Sequence, residues 1–170
     1  MVEDGKLIIQ NISQIGIVVR DIDSTVERYW SELGIGPWYF FTFGPGITRT
    51  TYHGEPCSIA LKIAMAQVGP IQMELLQPIS GKTPHQDFLD RHGEGLQHLG
   101  VFVERFEPAA AEMKRLGYKE ISGAYGIGPK GDGAAAYFDT LNSLGTLIEL
   151  IEMPIEMPPP DRIYPAPIDN

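Results

Sequence analysis

Four residues of this 170-residue chain, Gln14, Glu74, His98 and Glu149, could share one piece of chemistry. Between them they offer three oxygens and one imidazole nitrogen. That donor set suits a divalent Zn, Mn, Co, Ni or Fe ion in open octahedral geometry. Each lies in or beside an apolar run: "QIGIVV", "IQMELLQP", "LQHLGVFV" and "TLIELIEMP". A carboxylate in the middle of "LIELI" is costly to desolvate unless something compensates its charge. One cation shared by both glutamates would do so. Two plainer explanations compete. A lone histidine at the front of an apolar strand is more often a hydrogen-bonded core residue than a ligand. A solvated sheet face would let each glutamate simply meet water.

The elements that must position these residues occur twice. "QIGIVVRDID" superposes on "HLGVFVERFE", so that Gln14 falls on His98 and Gly16 on Gly100. Each run then meets a helix signal. The first is "DSTVERYWSELG", with Ser24 as the expected N-cap and Gly34 as the stop; the second is "EPAAAEMKRLG", with Pro108 in its first turn and Gly117 as the stop. "IQMELLQP" likewise matches "TLIELIEMP", pairing Glu74 with Glu149. Between these anchors lie the strand candidates "WYFFTF", "SIALKIAMA", "KEIS" and "AAAYFDT". Each half therefore reads strand, helix, strand, strand, strand.

Alternation gives each anchor strand two distinct faces. Ile15, Ile17 and Val19 point one way, with Gln14 and Gly16 on the other side. Leu99, Val101 and Val103 oppose His98 and Gly100. Met73 and Leu75 oppose Glu74, and Ile148 and Leu150 oppose Glu149. Every strand thus has an apolar face for a helix and one metal-competent side chain on the reverse.

Composition narrows the function classes. A net charge of −9 excludes a general polyanion binder, which needs clustered Lys and Arg. No apolar run has the length of a membrane span. The start "MVEDGKLIIQ" lacks the basic-then-apolar order of a signal peptide. One cysteine, Cys57, allows no internal disulfide, so a cytoplasmic location is expected.

The duplicated pattern resembles the vicinal oxygen chelate superfamily, the glyoxalase and bleomycin-resistance group, over about residues 12–153. The resemblance implies an α+β fold in which two paired βαβββ modules form a cupped mixed sheet with helices on the outer face. The modules would span about 12–78 and 96–153 of a single domain, 1–153. It implies one divalent metal ion held by Gln14, Glu74, His98 and Glu149. "MELLQPISGKTPHQDFLDRHGEGLQHLGVFV" is most similar to the methylmalonyl-CoA epimerase branch. That branch implies abstraction of a proton α to a carbonyl, with Glu149 and Glu74 as candidate catalytic carboxylates. The substrate would be a small acyl-thioester or keto compound. A homodimer is also implied as an option, because such modules often complete a cup by pairing.

The chain departs from each branch. Epimerases usually carry a base glutamate near what is Cys57 or Ser58 here, and Glu55 is the nearest acid. Where they often have a second histidine, this chain has Gln97. Against glyoxalase I, Val18 and Pro78 replace the expected arginine and asparagine, which weakens a glutathione-dependent lyase reading. Gln14 speaks against an extradiol-type dioxygenase. A metal-free binding or resistance protein is the alternative of another class.

His53, His85 and His92 fall in polar connections and are expected to be solvated. Cys57 reads as a small apolar residue. "GAYGIGPKGDGAA" reads as a hairpin loop or mobile lid over the cup, placing Lys130 to meet an acidic substrate. Alternate aromatics of "WYFFTF" could line the cup. The tail, 154–170, has too many prolines for a helix or inner strand, and is expected to run extended over the surface, across a partner subunit if one is present.

Overall fold

The structure, a computed structural model, describes residues 2–3, 6–44 and 49–166. Two short strands, β1 (Val2–Glu3) and β2 (Lys6–Leu7), form a separate ribbon. The first module runs β3 (Gln14–Val18), α1 (Ile22–Leu33), β4 (Trp38–Phe43), β5 (Arg49–Tyr52), β6 (Glu55–Pro56), β7 (Ala60–Val68) and β8 (Ile71–Ser80). The connecting helix α2 (Pro84–His92) leads to the second module. This comprises β9 (Gly95–Phe102), α3 (Phe106–Arg115), β10 (Glu120–Ile127), β11 (Gly133–Phe138), α4 (Leu141–Leu144) and β12 (Leu147–Glu152). A last strand, β13 (Arg162–Tyr164), lies in the tail.

Eleven strands form one curved, unclosed mixed sheet in the order β13-β4-β7-β8-β3-β9-β12-β11-β10-β5-β6. The α+β cup of two βαβββ modules is therefore present. The modules join through their first strands, β3 antiparallel to β9, and each first strand runs parallel to the last strand of its own module. The joint is a local twofold, which is why the sequence reads twice.

The outer face carries the two helices the repeat predicts. Ile22 and Val26 of α1 pack with Trp38, Phe40, Ala64 and Leu75 in one core. Phe106, Ala110 and Met113 of α3 pack with Val101, Phe138 and Leu150 in the other. Fully burying side chains of this kind contributes about 1.5–3 kcal/mol each. The start of α1 differs from expectation. Asp21, not Ser24, is the N-cap, and its carboxylate accepts from the Ser24 amide at 3.1 Å. Gly34 ends the helix with φ 67°, a conformation that favours glycine.

Four further features escape the pattern. The segment read as a histidine-bearing connection forms β5 and β6, which leave the first module: β5 pairs with β10 at the far side of the second, and β6 pairs with β5 at the sheet edge. "KEIS" continues through Ile127, so most of the glycine-rich stretch is hairpin strand and only 128–132 is turn. α2 does not lie wholly on the outer face, because Thr83, Pro84 and His85 reach the cup. The tail folds back on its own chain: Arg162, Ile163 and Tyr164 pair with Phe40, Tyr39 and Trp38. An edge position suits a proline-rich segment, which cannot donate a full ladder of hydrogen bonds.

Candidate metal centre

Strand register places the four candidate residues in two adjacent rows across the sheet. One row runs Glu74, Gly16, His98 across β8, β3 and β9. The next runs Gln14, Gly100, Glu149 across β3, β9 and β12. The twofold exchanges the rows, taking Gln14 to His98 and Glu74 to Glu149. A glycine occupies the middle of each, and that vacancy is what lets the side chains converge. A methyl group at Gly16 would fall inside the His98 ring, and one at Gly100 would lie 2.8 Å from Gln14 Oε1.

Glu74, His98 and Glu149 bring one ligand atom each within 4.8 Å of one another, all three buried. His98 Nε2 lies 3.4 Å from Glu74 Oε2 and 3.3 Å from Glu149 Oε2. Gln14 donates through Nε2 to Gln72 Oε1 at 2.8 Å, which leaves its own Oε1 free. Among the described residues, five buried side-chain atoms have no hydrogen-bond partner. Four of them are Gln14 Oε1, Glu74 Oε2, His98 Nε2 and Glu149 Oε2. The fifth, Asp132 Oδ1, belongs to the β10–β11 turn. Leaving such an atom unsatisfied costs about 1–3 kcal/mol, so four in one site call for a common partner. A divalent cation fits: two carboxylates neutralise its charge, and an imidazole and an amide oxygen complete the donor set.

The electrostatics fit the same partner. Burial opposes the charged form of His98, but the carboxylates of Glu149 and Glu74 outweigh it and hold the ring up at about 9. Burial, together with the charge of Glu149, raises Glu74 against the opposing pull of His98. Without a metal, a proton on His98 is what the two carboxylates share.

Three residues that the sequence reading passed over support the centre. His85, expected in solvent, is only 2% exposed. Its Nδ1 meets Gln97 Oε1 at 2.7 Å, and His98 Nδ1 lies 3.2 Å from the same oxygen. Gln97 donates through Nε2 to the Pro84 carbonyl at 2.8 Å, so its oxygen must face the two rings. Both Nδ1 atoms therefore carry hydrogen and donate, which leaves His98 Nε2 as the nitrogen facing the glutamates. Burial and the neighbouring His98 charge hold His85 down at about 3, so it stays neutral. The Tyr137 ring sits edge-on to both imidazoles, 5.0 Å from His98 and 5.1 Å from His85 between centroids.

Gln97 reaches this position because β9 bulges there. Gly16 pairs with His98 and Ile17 with Leu96, so Gln97 is skipped. No periodic pattern marks a bulge. The helix around His85 was more legible, since Thr83 caps it and Pro84 opens it.

A family profile, the Glyoxalase/Bleomycin resistance protein/Dioxygenase superfamily, matches residues 13–138. The chain belongs to that superfamily. No curated protein matches it. Among solved structures, a variant of Streptomyces coelicolor methylmalonyl-CoA epimerase, in complex with 2-nitronate-propionyl-CoA, is 21% identical with TM-score 0.61, covering 85% of this chain and 98% of that one. Methylmalonyl-CoA epimerase from Mycobacterium tuberculosis is 20% identical with TM-score 0.57, covering 89% and 96%. A hypothetical protein from Bacillus halodurans C-125 is 23% identical with TM-score 0.59, covering 87% and 97%. At such identities the likeness speaks for the fold.

Within this superfamily member, two other expected residues stand away from the site. Glu55 is exposed on β6, at the opposite sheet edge from the first module. Lys130 does not line the cup; its Nζ lies 3.8 Å from Glu156 Oε2, and both side chains are exposed. The cup encloses about 410 Å³. Phe41 and Phe43 line it as alternate residues of β4, while Trp38 and Phe40 turn to the outer core.

Proposed function

We propose that this chain is a metal-dependent isomerase or epimerase that removes and returns a proton α to a carbonyl. One observation carries the reading: Gln14, Glu74, His98 and Glu149 hold four buried, unpartnered donor atoms, and three of these residues, Gln14, Glu74 and Glu149, line one cavity, with His98 buried behind them. A divalent ion held there supplies a positive centre that stabilises negative charge developing on a carbonyl oxygen. Glu74 and Glu149 flank the module joint on opposite sides. They are the proposed proton acceptor and donor, one serving each face of the substrate. Gln97 and His85 hold the His98 ring, and the apolar walls exclude water from the reacting carbon.

The mainly enzymatic superfamily and the epimerases among its structural neighbours support this class. The test is elemental analysis of untagged protein after incubation with Zn, Mn, Co, Ni or Fe(II), followed by solvent deuterium exchange into enolisable carbonyl compounds. One ion per chain, lost in His98→Ala and Glu149→Gln, together with exchange that those variants lack, is the expected result. Absence of any bound ion would overturn the reading and leave a metal-free binding protein in its place.

A further inference from the structure

The cavity wall carries a charge pattern that narrows the substrate. Its charged residues, among those described, are Glu74, Glu149, Glu152 and Asp161, with no lysine or arginine. Cations near the tail that closes the cup are already engaged, Lys130 with Glu156 and Arg162 with Asp23. The rest of the wall is mostly apolar, including Phe41, Phe43, Ile63, Met65, Phe102 and Met157, with uncharged polar groups such as Gln72, Ser122 and Tyr137.

A divalent ion between Glu74 and Glu149 makes the centre neutral. A substrate carboxylate or phosphate would then enter a low-dielectric cavity as an uncompensated charge, at a large desolvation cost. The net charge of −9 adds long-range repulsion. The tail sets the size. Pro154, Met157, Pro158 and Pro159 form one wall between the β10–β11 turn and the β4 edge. Ile155 is held to Asp132 at 3.2 Å at one end, and Asp161 to the Phe40 carbonyl at 2.8 Å at the other. About 410 Å³ lies within the range of compact small-molecule sites.

We propose that the substrate is a compact, uncharged ketone with an apolar body, and that coenzyme A thioesters and α-keto acids are rejected by charge. The word ketone rests on the proton-abstraction reading above; size and neutrality rest on the cavity alone. The experiment is calorimetric titration of full-length protein, metal-free and zinc-loaded, with acetophenone, benzoylformate and acetyl-coenzyme A. Acetophenone is expected to bind at least about tenfold more tightly than benzoylformate. Acetyl-coenzyme A is expected not to compete. Ile63→Trp, which fills the cavity, should abolish acetophenone binding while zinc content stays unchanged. Phe43→Arg, at a half-buried position, should bring benzoylformate up to the affinity of acetophenone, and serves also if the tryptophan variant fails to fold.

Benzoylformate or acetyl-coenzyme A binding as tightly as acetophenone to zinc-loaded wild type would overturn this inference while leaving the metal reading intact. The reverse pattern, selective acetophenone binding by a protein that retains no metal, would support the cavity's selectivity and remove the catalytic reading instead.

Discussion

The His98 imidazole lies directly over the α-carbon of Gly16, in the space a side chain there would occupy. The twofold repeats the arrangement with Gln14 beside Gly100. The two glycines in the repeated strand are therefore part of the site, because each vacates the seat of a donor from the facing strand. Gly16→Ala should drive the His98 ring aside, destabilise the metal-free protein by about 3 kcal/mol, and abolish zinc retention. Gly100→Ala should be milder, because its methyl would lie 2.8 Å from Gln14 Cβ and Oε1 and would not fall within a ring. Urea denaturation and zinc content of the two variants check the order; equal metal retention in both would contradict it.

The bulge residue Gln97 should act on metal affinity as well as on stability. Gln97→Leu keeps the volume of the side chain but leaves both Nδ1 donors without their shared acceptor. Loss of an outer-shell partner of this kind typically costs about 10–100-fold in metal affinity. Competition with a zinc chelator measures it. An unchanged affinity would mean that packing alone holds the His98 ring.

The repeat made the fold legible because it is written in two local signals, strand alternation and helix boundaries. These placed β3, β8, β9 and β12, and put Glu74 and Glu149 on the cup face. What stayed hidden depends on long-range geometry. His85 looked like a loop residue because its burial comes from Gln97 and Tyr137, remote in the chain or displaced by a bulge. β5 is a strand because β10 offers it an edge, and the tail lies on β4 for the same reason. An edge to pair with leaves no trace in the segment that uses it.

One side chain adds to the backbone pairing that holds the tail strand. Arg162 pairs with Asp23 of α1 and stacks its guanidinium 3.9 Å from the Phe40 ring centroid. Both members of the pair are about half exposed, so solvent screening keeps the ionic part small. Arg162→Ala should cost about 1 kcal/mol in all, most of it from the lost stacking. The more telling readout is limited proteolysis, which should cut within 154–161 faster in the variant. Equal cutting rates would mean that the backbone pairing of β13 suffices.

The metal-free protein should lose stability as the solution turns basic. His98 has an ordinary value of 6.5 and is held up at about 9 by Glu149 and Glu74, against the effect of burial. A folded-state value above the unfolded one means that the native state binds more protons. The contribution is fully present below 6.5 and is lost as pH rises through about 9. Glu74, raised by burial, acts in the same direction. Denaturation midpoints of wild type and His98→Gln, measured from pH 6 to 9.5 with a chelator present, should therefore converge as pH rises. With zinc bound the wild-type decline should vanish, because the cation takes the place of the proton between the carboxylates. Parallel curves for the two proteins would mean that His98 carries no such proton.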